Sequence, residues 1–181
     1  MDKLLVVPVL AKALYAAITR LIMTPLSSGP KANTLLKDVI FAALRVNLSQ
    51  ISPAQEQWLN PTTESVYLDF TKSSQTNPDI SVLDSGLKVA WFGPKTAEKV
   101  VLFFHGGGYV LSASVGHVQW LAGLQKDLSK GGKEVGVAML MYTLAPHAQY
   151  PTQVKQAAEA MNWLVQSQGK KPSNVSRGTL C

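Results

Sequence analysis

The chain has 181 residues, enough for one ordinary domain. Because 46% of them are hydrophobic and only 15% are charged, an intrinsically disordered protein is excluded. The 17 basic residues give a net charge of +6 but are scattered and form no basic stripe, which argues against a nucleic-acid partner. A single cysteine, Cys181, and three histidines without metal-site spacing exclude a disulfide framework and a zinc cluster, so we expect neither a metal nor a cofactor.

The N-terminal segment, residues 4–23, is almost entirely apolar and is long enough as a helix to cross a membrane. Lys12 and Arg20 oppose a membrane span, because a charged side chain near the middle of a spanning helix costs about 2.5–3.5 kcal/mol. One helical face carries the larger apolar residues Leu10, Leu14, Ile18 and Leu21. We expect an amphipathic helix that docks on the domain or lies on a membrane surface, with a membrane anchor and a cleaved signal peptide as alternatives. The location stays open, with an intracellular, membrane-associated protein of the endoplasmic-reticulum type as the hypothesis.

Two further segments precede the α/β pattern. Apolar residues at helical spacing predict a second helix over residues 33–48, capped by Asn33 or Thr34. Residues 51–77 are rich in Pro, Ser, Thr and Asn, which predicts a loop with one short strand at residues 66–70. We therefore divide the chain into an N-terminal helical, cap-like segment, residues 1–71, and an α/β domain, residues 72–181.

Strands and helices alternate in the second part of the sequence. A half-buried strand is predicted at residues 86–92, and a continuous apolar run predicts a strand buried on both faces at residues 100–104. A helix, a second buried strand and a second helix follow at residues 114–128, 135–142 and 152–166. This order predicts βαβ crossovers, so the expected fold class is α/β, with a mostly parallel sheet flanked by helices and preceded by the N-terminal helices.

A glycine cluster follows the first buried strand directly, at His105-Gly106-Gly107-Gly108. Ligand sites in α/β sheets lie beyond the carboxyl ends of the strands, so the cluster marks a candidate site. Residues without side chains let successive N–H groups turn toward one point, where a negatively charged oxygen can be held. A tight strand-to-helix turn is the alternative. A phosphate-binding loop is disfavoured, because no Gly-Lys-[Ser/Thr] follows and no Gly-x-Gly-x-x-Gly is completed after Gly108.

Two motifs carry a family resemblance. His105-Gly106-Gly107-Gly108-Tyr109-Val110 resembles the oxyanion loop of the hormone-sensitive-lipase-like branch of the α/β hydrolases, the esterases and lipases with a His-Gly-Gly-Gly motif. Tyr142-Thr143-Leu144-Ala145-Pro146 is similar to that branch's second marker, a turn after the next strand. The resemblance covers about residues 80–175 and is of the fungal type. It implies an α/β-hydrolase fold and a carboxylic-ester hydrolase that acts on hydrophobic esters through a serine acyl-enzyme.

The resemblance also implies roles by position. Gly107 and Gly108 would supply the N–H groups of an oxyanion hole, supported by His105, Gly106 and Tyr109. In this family His105 would orient the loop without transferring a proton. The motif turn, formed by Tyr142, Leu144, Ala145 and Pro146, would hold the backbone and take no part in the chemistry.

The family's nucleophile does not occur in the sequence. No Gly-x-Ser-x-Gly is present in the 181 residues, so we assign no catalytic residue. The residues after Pro172 contain no apolar run, and we expect neither a strand there nor a match to the family beyond Val175. The sequence thus predicts an incomplete α/β-hydrolase domain from a truncated or mis-spliced gene product. The alternative is a catalytically inactive fragment that acts at most as a membrane- or protein-binding module.

Overall fold

The computed structural model describes residues 6–26 and 32–179. By its contacts the chain divides into a first unit, Met1–Glu56, and a second unit, Gln57–Cys181. This division lies before the boundary at residue 71 that the sequence predicts. The reason is that Val66 and Tyr67 are buried in a core cluster of the second unit, together with residues of its sheet.

The first unit consists of helix α1, Val6–Met23, and helix α2, Leu35–Gln50, which pack against each other. Both helices were predicted from the sequence, although Leu4 and Leu5 of the first prediction lie outside the described residues. Thr34 is the N-cap of α2, because its hydroxyl oxygen accepts a hydrogen bond from the Lys37 amide at 3.3 Å. Among the helices that the structure describes, α1 alone is long and apolar enough to cross a membrane.

Two helices occupy the region predicted to be a loop. Helix α3 spans Pro53–Leu59 and helix α4 spans Thr63–Ser73, so the short strand predicted at residues 66–70 is wrong. Thr62 caps α4 through its side chain. The buried Tyr67 hydroxyl then anchors the helix to the sheet by donating to the Trp91 carbonyl at 2.7 Å. The cap and this tertiary contact outweigh the strand preference of the local sequence.

A five-stranded sheet forms the centre of the second unit, in the order β1-β2-β4-β3-β5. β3 runs parallel to both β4 and β5, whereas the pairs β1–β2 and β2–β4 are antiparallel. The sheet is therefore mixed rather than mostly parallel. Its strands are β1, Ile80–Val82; β2, Lys88–Phe92; β3, Lys99–Phe104; β4, Val135–Met141; and β5, Val175–Thr179.

Strand β5 corrects the expectation that no strand follows Pro172. It pairs with β3 from Val100 opposite Val175 to Phe104 opposite Thr179. Only Val175 in this strand is fully buried, and the other residues are partly or fully exposed. Because so little of β5 is buried, the strand does not require a run of apolar residues in the sequence. It is recognised as a strand by its backbone pairing with β3.

Helices cover both faces of the sheet, as the alternation of strands and helices predicts. Helix α5, Val115–Leu128, and α4 pack on one face, and helix α6, Thr152–Gln166, packs on the other. In β3, Leu102 faces the α6 side and Phe103 faces the α5 side, and both are buried. This two-sided burial explains the continuous apolar run of β3 and fixes the site loop at its carboxyl end.

Candidate active site

The loop His105–Tyr109 follows β3 directly and has a backbone that requires glycine. Gly107 has φ of 115°, and Gly108 and Tyr109 have φ of 59° and 62°. A Cβ atom on Gly107 would lie 2.7 Å from the Cβ of Leu111, whereas one on Gly108 would meet nothing within 4 Å. Gly107 is therefore required both by its backbone conformation and by space, whereas the left-handed conformation of Gly108 only favours glycine, since Tyr109 adopts nearly the same φ.

The amides of this loop have no acceptor in the part of the chain that the structure describes. The Gly107 carbonyl accepts hydrogen bonds from the amides of Val110 and Leu111, both at 3.0 Å, which closes the loop. No described residue accepts a hydrogen bond from the N–H of Gly107 or Gly108. The loop lines a cavity of about 350 Å³ together with Tyr142 and Thr179, the last residue of β5. Unsatisfied backbone donors beside a cavity can bind an oxyanion.

Tyr142 supports the loop from the turn after β4. Its hydroxyl donates a hydrogen bond to the His105 carbonyl at 2.6 Å, and its ring stacks on the imidazole of His105 with centroids 4.3 Å apart. Burial raises the pKa of the Tyr142 phenol, so the hydroxyl stays protonated and remains a donor at neutral pH. The sequence predicted that Tyr142 holds its own turn, and in the structure its hydroxyl fixes the peptide from which the glycine loop begins.

His105 is buried and neutral. Its Nδ1 lies 2.9 Å from the Gly106 carbonyl, and since a carbonyl can only accept, Nδ1 carries the proton. Burial lowers the pKa of His105, and the nearby His117 lowers it further. The other ring nitrogen, Nε2, is buried without a partner among the described residues. An imidazole with this proton fixed in a local hydrogen bond is suited to orienting the loop rather than to moving protons.

Gln57 of α3 joins the glycine loop to the motif turn. Its Nε2 donates to the carbonyls of Val110, at 3.0 Å, and of Ala145. The Ala145 amide in turn donates to the Tyr109 carbonyl at 2.8 Å. Gln57 was not predicted from the sequence. The spacing Ser52-x-x-Gln55 is a helix-start signal that could have revealed α3, but a contact across more than fifty residues leaves no local signal.

Some of the remaining residues contact the glycine loop, and others lie away from it. Tyr109 and Ala145 meet at the loop, as described above. Leu144 is a partly buried residue against the core on the α6 side and so serves packing. His117 lies outside the cavity at the loop and forms a capping box with Ser114 at the start of α5. The two motifs, far apart in sequence, are therefore brought together by β3 and β4, which are paired parallel strands.

Residues 101–180 match the family model of the α/β hydrolase fold. The match begins in β3, contains both motifs and the whole of β5, and runs past Val175. The expectation that the resemblance ends near Val175 is therefore wrong. No curated protein matches the chain.

Solved esterase structures resemble the chain. The hyperthermophilic esterase from the archaeon Pyrobaculum calidifontis has a TM-score of 0.51 and 22% identity, and the match covers 83% of this chain and 50% of that one. Esterase E25 has a TM-score of 0.51 and 17% identity, with coverages of 70% and 38%. Carboxyl esterase 2 from the mycorrhizal fungus Tuber melanosporum is 27% identical with a TM-score of 0.43, with coverages of 57% and 35%.

These likenesses show the fold, an α/β sheet flanked by helices. The chain spans between about a third and a half of the length of these structures.

Proposed function

We propose that this chain supplies the oxyanion hole of a carboxylic-ester hydrolase of the hormone-sensitive-lipase-like branch, an enzyme that works through a serine acyl-enzyme on hydrophobic esters. In this proposal the loop His105–Tyr109 is the oxyanion hole, and the N–H groups of Gly107 and Gly108 are its donors. One observation carries the proposal: two amides without a described acceptor lie in a glycine-dependent loop beside a cavity at the carboxyl end of a central parallel strand.

Attack on an ester carbonyl places negative charge on its oxygen in the tetrahedral intermediate. Donors that are already oriented toward that oxygen stabilise it without reorganising, at about 3–4 kcal/mol for each donor. Tyr142 and Gln57 hold the two ends of the loop segment, and His105 stays neutral throughout. The described residues thus supply the donors that stabilise the negative charge and the side chains that hold the loop in place. None of them is assigned to proton transfer.

The nucleophile is assigned to none of the 181 residues, since no Gly-x-Ser-x-Gly is among them. The carboxyl end of β5 lies at the cavity, because Thr179 contributes to its wall. A serine in a turn directly after β5 would therefore face the same cavity as Gly107 and Gly108. This placement supports a serine mechanism at this edge of the sheet.

Hydrolysis of p-nitrophenyl butyrate and labelling by a fluorophosphonate probe test the proposal, using the 181-residue chain and any longer product of the same gene. We expect no turnover and no labelled serine in the 181-residue chain. In a longer product we expect one labelled serine and a kcat lowered about 100-fold by Gly107→Ala. Turnover that maps to a serine of the 181-residue chain would overturn the assignment of the nucleophile to none of its residues. A labelled longer product in which Gly107→Ala leaves kcat unchanged would overturn the assignment of Gly107 to the oxyanion hole.

A further inference from the structure

The N-terminal hairpin, formed by α1 and α2, has an inverted distribution of polar and apolar groups. Its one described carboxylate, Asp38, is buried between the helices. It accepts hydrogen bonds from Arg20 Nε at 2.7 Å, from the Thr24 hydroxyl at 2.7 Å and from the Ala32 amide at 3.2 Å. On the α1 side the buried residues Val9 and Ala13 are small or medium in size. Charged and small groups therefore lie inside the pair of helices.

Large apolar side chains lie on the outside of both helices. Along α1 they form a stripe at helical spacing in which every residue is 44–63% exposed: Val7, Leu10, Leu14, Ile18 and Leu21. Along α2 a second ridge recurs every four residues and is 44–70% exposed: Leu36, Ile40, Leu44 and Leu48. The first stripe includes the apolar face that was predicted from the sequence. Soluble monomers rarely expose contiguous apolar surface on this scale, so these ridges mark a docking surface.

The charges around the ridges indicate what the surface contacts. Lys12, Lys37 and Arg45 are exposed, whereas Asp38 is neutralised by Arg20. The described outer surface of the hairpin is therefore apolar and positively charged, without an exposed carboxylate. A surface that combines apolar ridges with exposed basic side chains and no exposed carboxylate matches an anionic lipid bilayer, where headgroups attract the basic side chains and the acyl boundary accepts the apolar ones.

We propose that the N-terminal hairpin binds anionic phospholipid membranes by lying in the plane of the interface, with the outward ridges of α1 and α2 in the acyl boundary. Lipid binding by this surface is independent of the chemistry at the glycine loop.

The hairpin lies in the interface rather than spanning the bilayer. A spanning α1 would place Lys12 within the hydrocarbon and would draw α2 with it, because Arg20 and Asp38 tie the two helices together. Lys37 and Arg45 would then enter the hydrocarbon as well. In the plane of the interface, all these side chains reach the headgroups.

Sedimentation of the full chain with vesicles tests the proposal, using phosphatidylcholine with and without phosphatidylserine. We expect binding at least about tenfold tighter with phosphatidylserine, and weaker at high salt. Leu14→Ser combined with Ile18→Ser should weaken binding at least about tenfold. The matched control, Val115→Ser with Val154→Ser, replaces equally exposed apolar residues of the second unit and should change nothing.

A second pair of variants keeps the proposal open to refutation if the serine variants disturb folding. Lys37→Gln with Arg45→Gln alters only exposed side chains and should lower binding to phosphatidylserine vesicles roughly tenfold, without affecting phosphatidylcholine vesicles. Circular dichroism checks the helix content of every variant.

Four results would overturn the proposal. The first is absence of binding by the folded chain, and the second is binding indifferent to both pairs of changes. The third is resistance to alkaline carbonate extraction, which would indicate a span. The fourth is a lipid-free dimer that Leu14→Ser with Ile18→Ser dissociates, because a second copy would then occupy the surface.

Discussion

The N-terminal hairpin and the sheet of the second unit place their apolar residues in opposite ways. In β4 six of the seven residues are buried, whereas in α1 only Val6, Val9 and Ala13 are. Both segments are continuous apolar runs in the sequence. In the sheet the run is enclosed by helices on two faces, and in the hairpin it is mostly exposed around a partly buried ion pair. An apolar run therefore does not by itself show whether a segment enters a protein core.

The largest difference between the two regions should appear on truncating a leucine. Leu102 in β3 is 0% exposed, so Leu102→Ala should lower the free energy of unfolding by about 2–5 kcal/mol. Leu14→Ala in α1, where the side chain is 62% exposed, should change it by no more than about 0.5 kcal/mol. Urea titration followed by tryptophan fluorescence reports on the second unit, which holds all four tryptophans. Circular dichroism reports on the hairpin. Equal losses in the two variants would contradict the contrast.

A second comparison lies within the glycine loop. Gly107→Ala should cost about 2–3 kcal/mol, because it combines a disfavoured φ with a Cβ placed against Leu111. Gly108→Ala meets no neighbour and should cost only about 1 kcal/mol. The same urea titration measures both variants. A larger cost for Gly108→Ala would show that the loop has a different backbone path.

Tyr142→Phe tests how much a buried polar contact of the second unit contributes, namely the hydrogen bond from the Tyr142 hydroxyl to the His105 carbonyl. The change removes the donor to the His105 carbonyl and leaves that oxygen unpaired in a buried position. We expect a loss of about 1–2 kcal/mol in the free energy of unfolding. Hydrogen exchange should show faster amide exchange at Val110 and Leu111, whose amides donate to the Gly107 carbonyl. A purely packing role for Tyr142 would leave both measurements unchanged, since the ring is kept.

Gln57→Ala should act more locally and more weakly. Loss of its two hydrogen bonds should cost about 1 kcal/mol and accelerate exchange in residues 107–111 and 143–147. Gln55→Ala serves as the control, because Gln55 lies on the same helix but accepts from the Ser52 amide instead. Similar amide exchange rates in Gln57→Ala and Gln55→Ala would show that Gln57 does not stabilise the loop.

Acidification should affect the hairpin and leave the tryptophan signal of the second unit unchanged. Hydrogen bonds from Arg20 and Thr24 lower the pKa of Asp38 from 3.8 to about 2, so the folded hairpin favours the ionised form. The resulting stability is complete above pH 3.8 and is lost as the pH falls toward 2. Circular dichroism at 222 nm should report a loss of helix in this window that Asp38→Asn abolishes. If the loss of helix in this window persists in Asp38→Asn, a group other than Asp38 causes it.

Prediction from the sequence succeeded where a segment's own pattern decides its structure. The helices α1, α2, α5 and α6 and the buried strands β3 and β4 follow from helical spacing, caps and continuous apolar runs. It failed for α4 and β5, each of which depends on a partner. Tyr67 must reach the Trp91 carbonyl to fix α4, and β5 exists by pairing with β3.

The site divides in the same way. The glycine loop was recognisable because its exposed backbone donors require residues without side chains, and the motif turn was recognisable only through its family resemblance. Gln57 and the hydroxyl contact of Tyr142 were not recognisable, because each joins positions distant in the chain.

The sequence by itself determined the α/β class, the position of the loop at the end of a buried strand, and the need for glycine within it. These features depend on local backbone preferences and on the period of apolar residues. The tertiary structure alone decided that β5 completes a parallel trio with β3 and β4, that Tyr142 and Gln57 brace the loop, and that α1 turns its large apolar face outward. Each of these depends on which groups meet after the chain has folded, and a local pattern does not specify its distant partner.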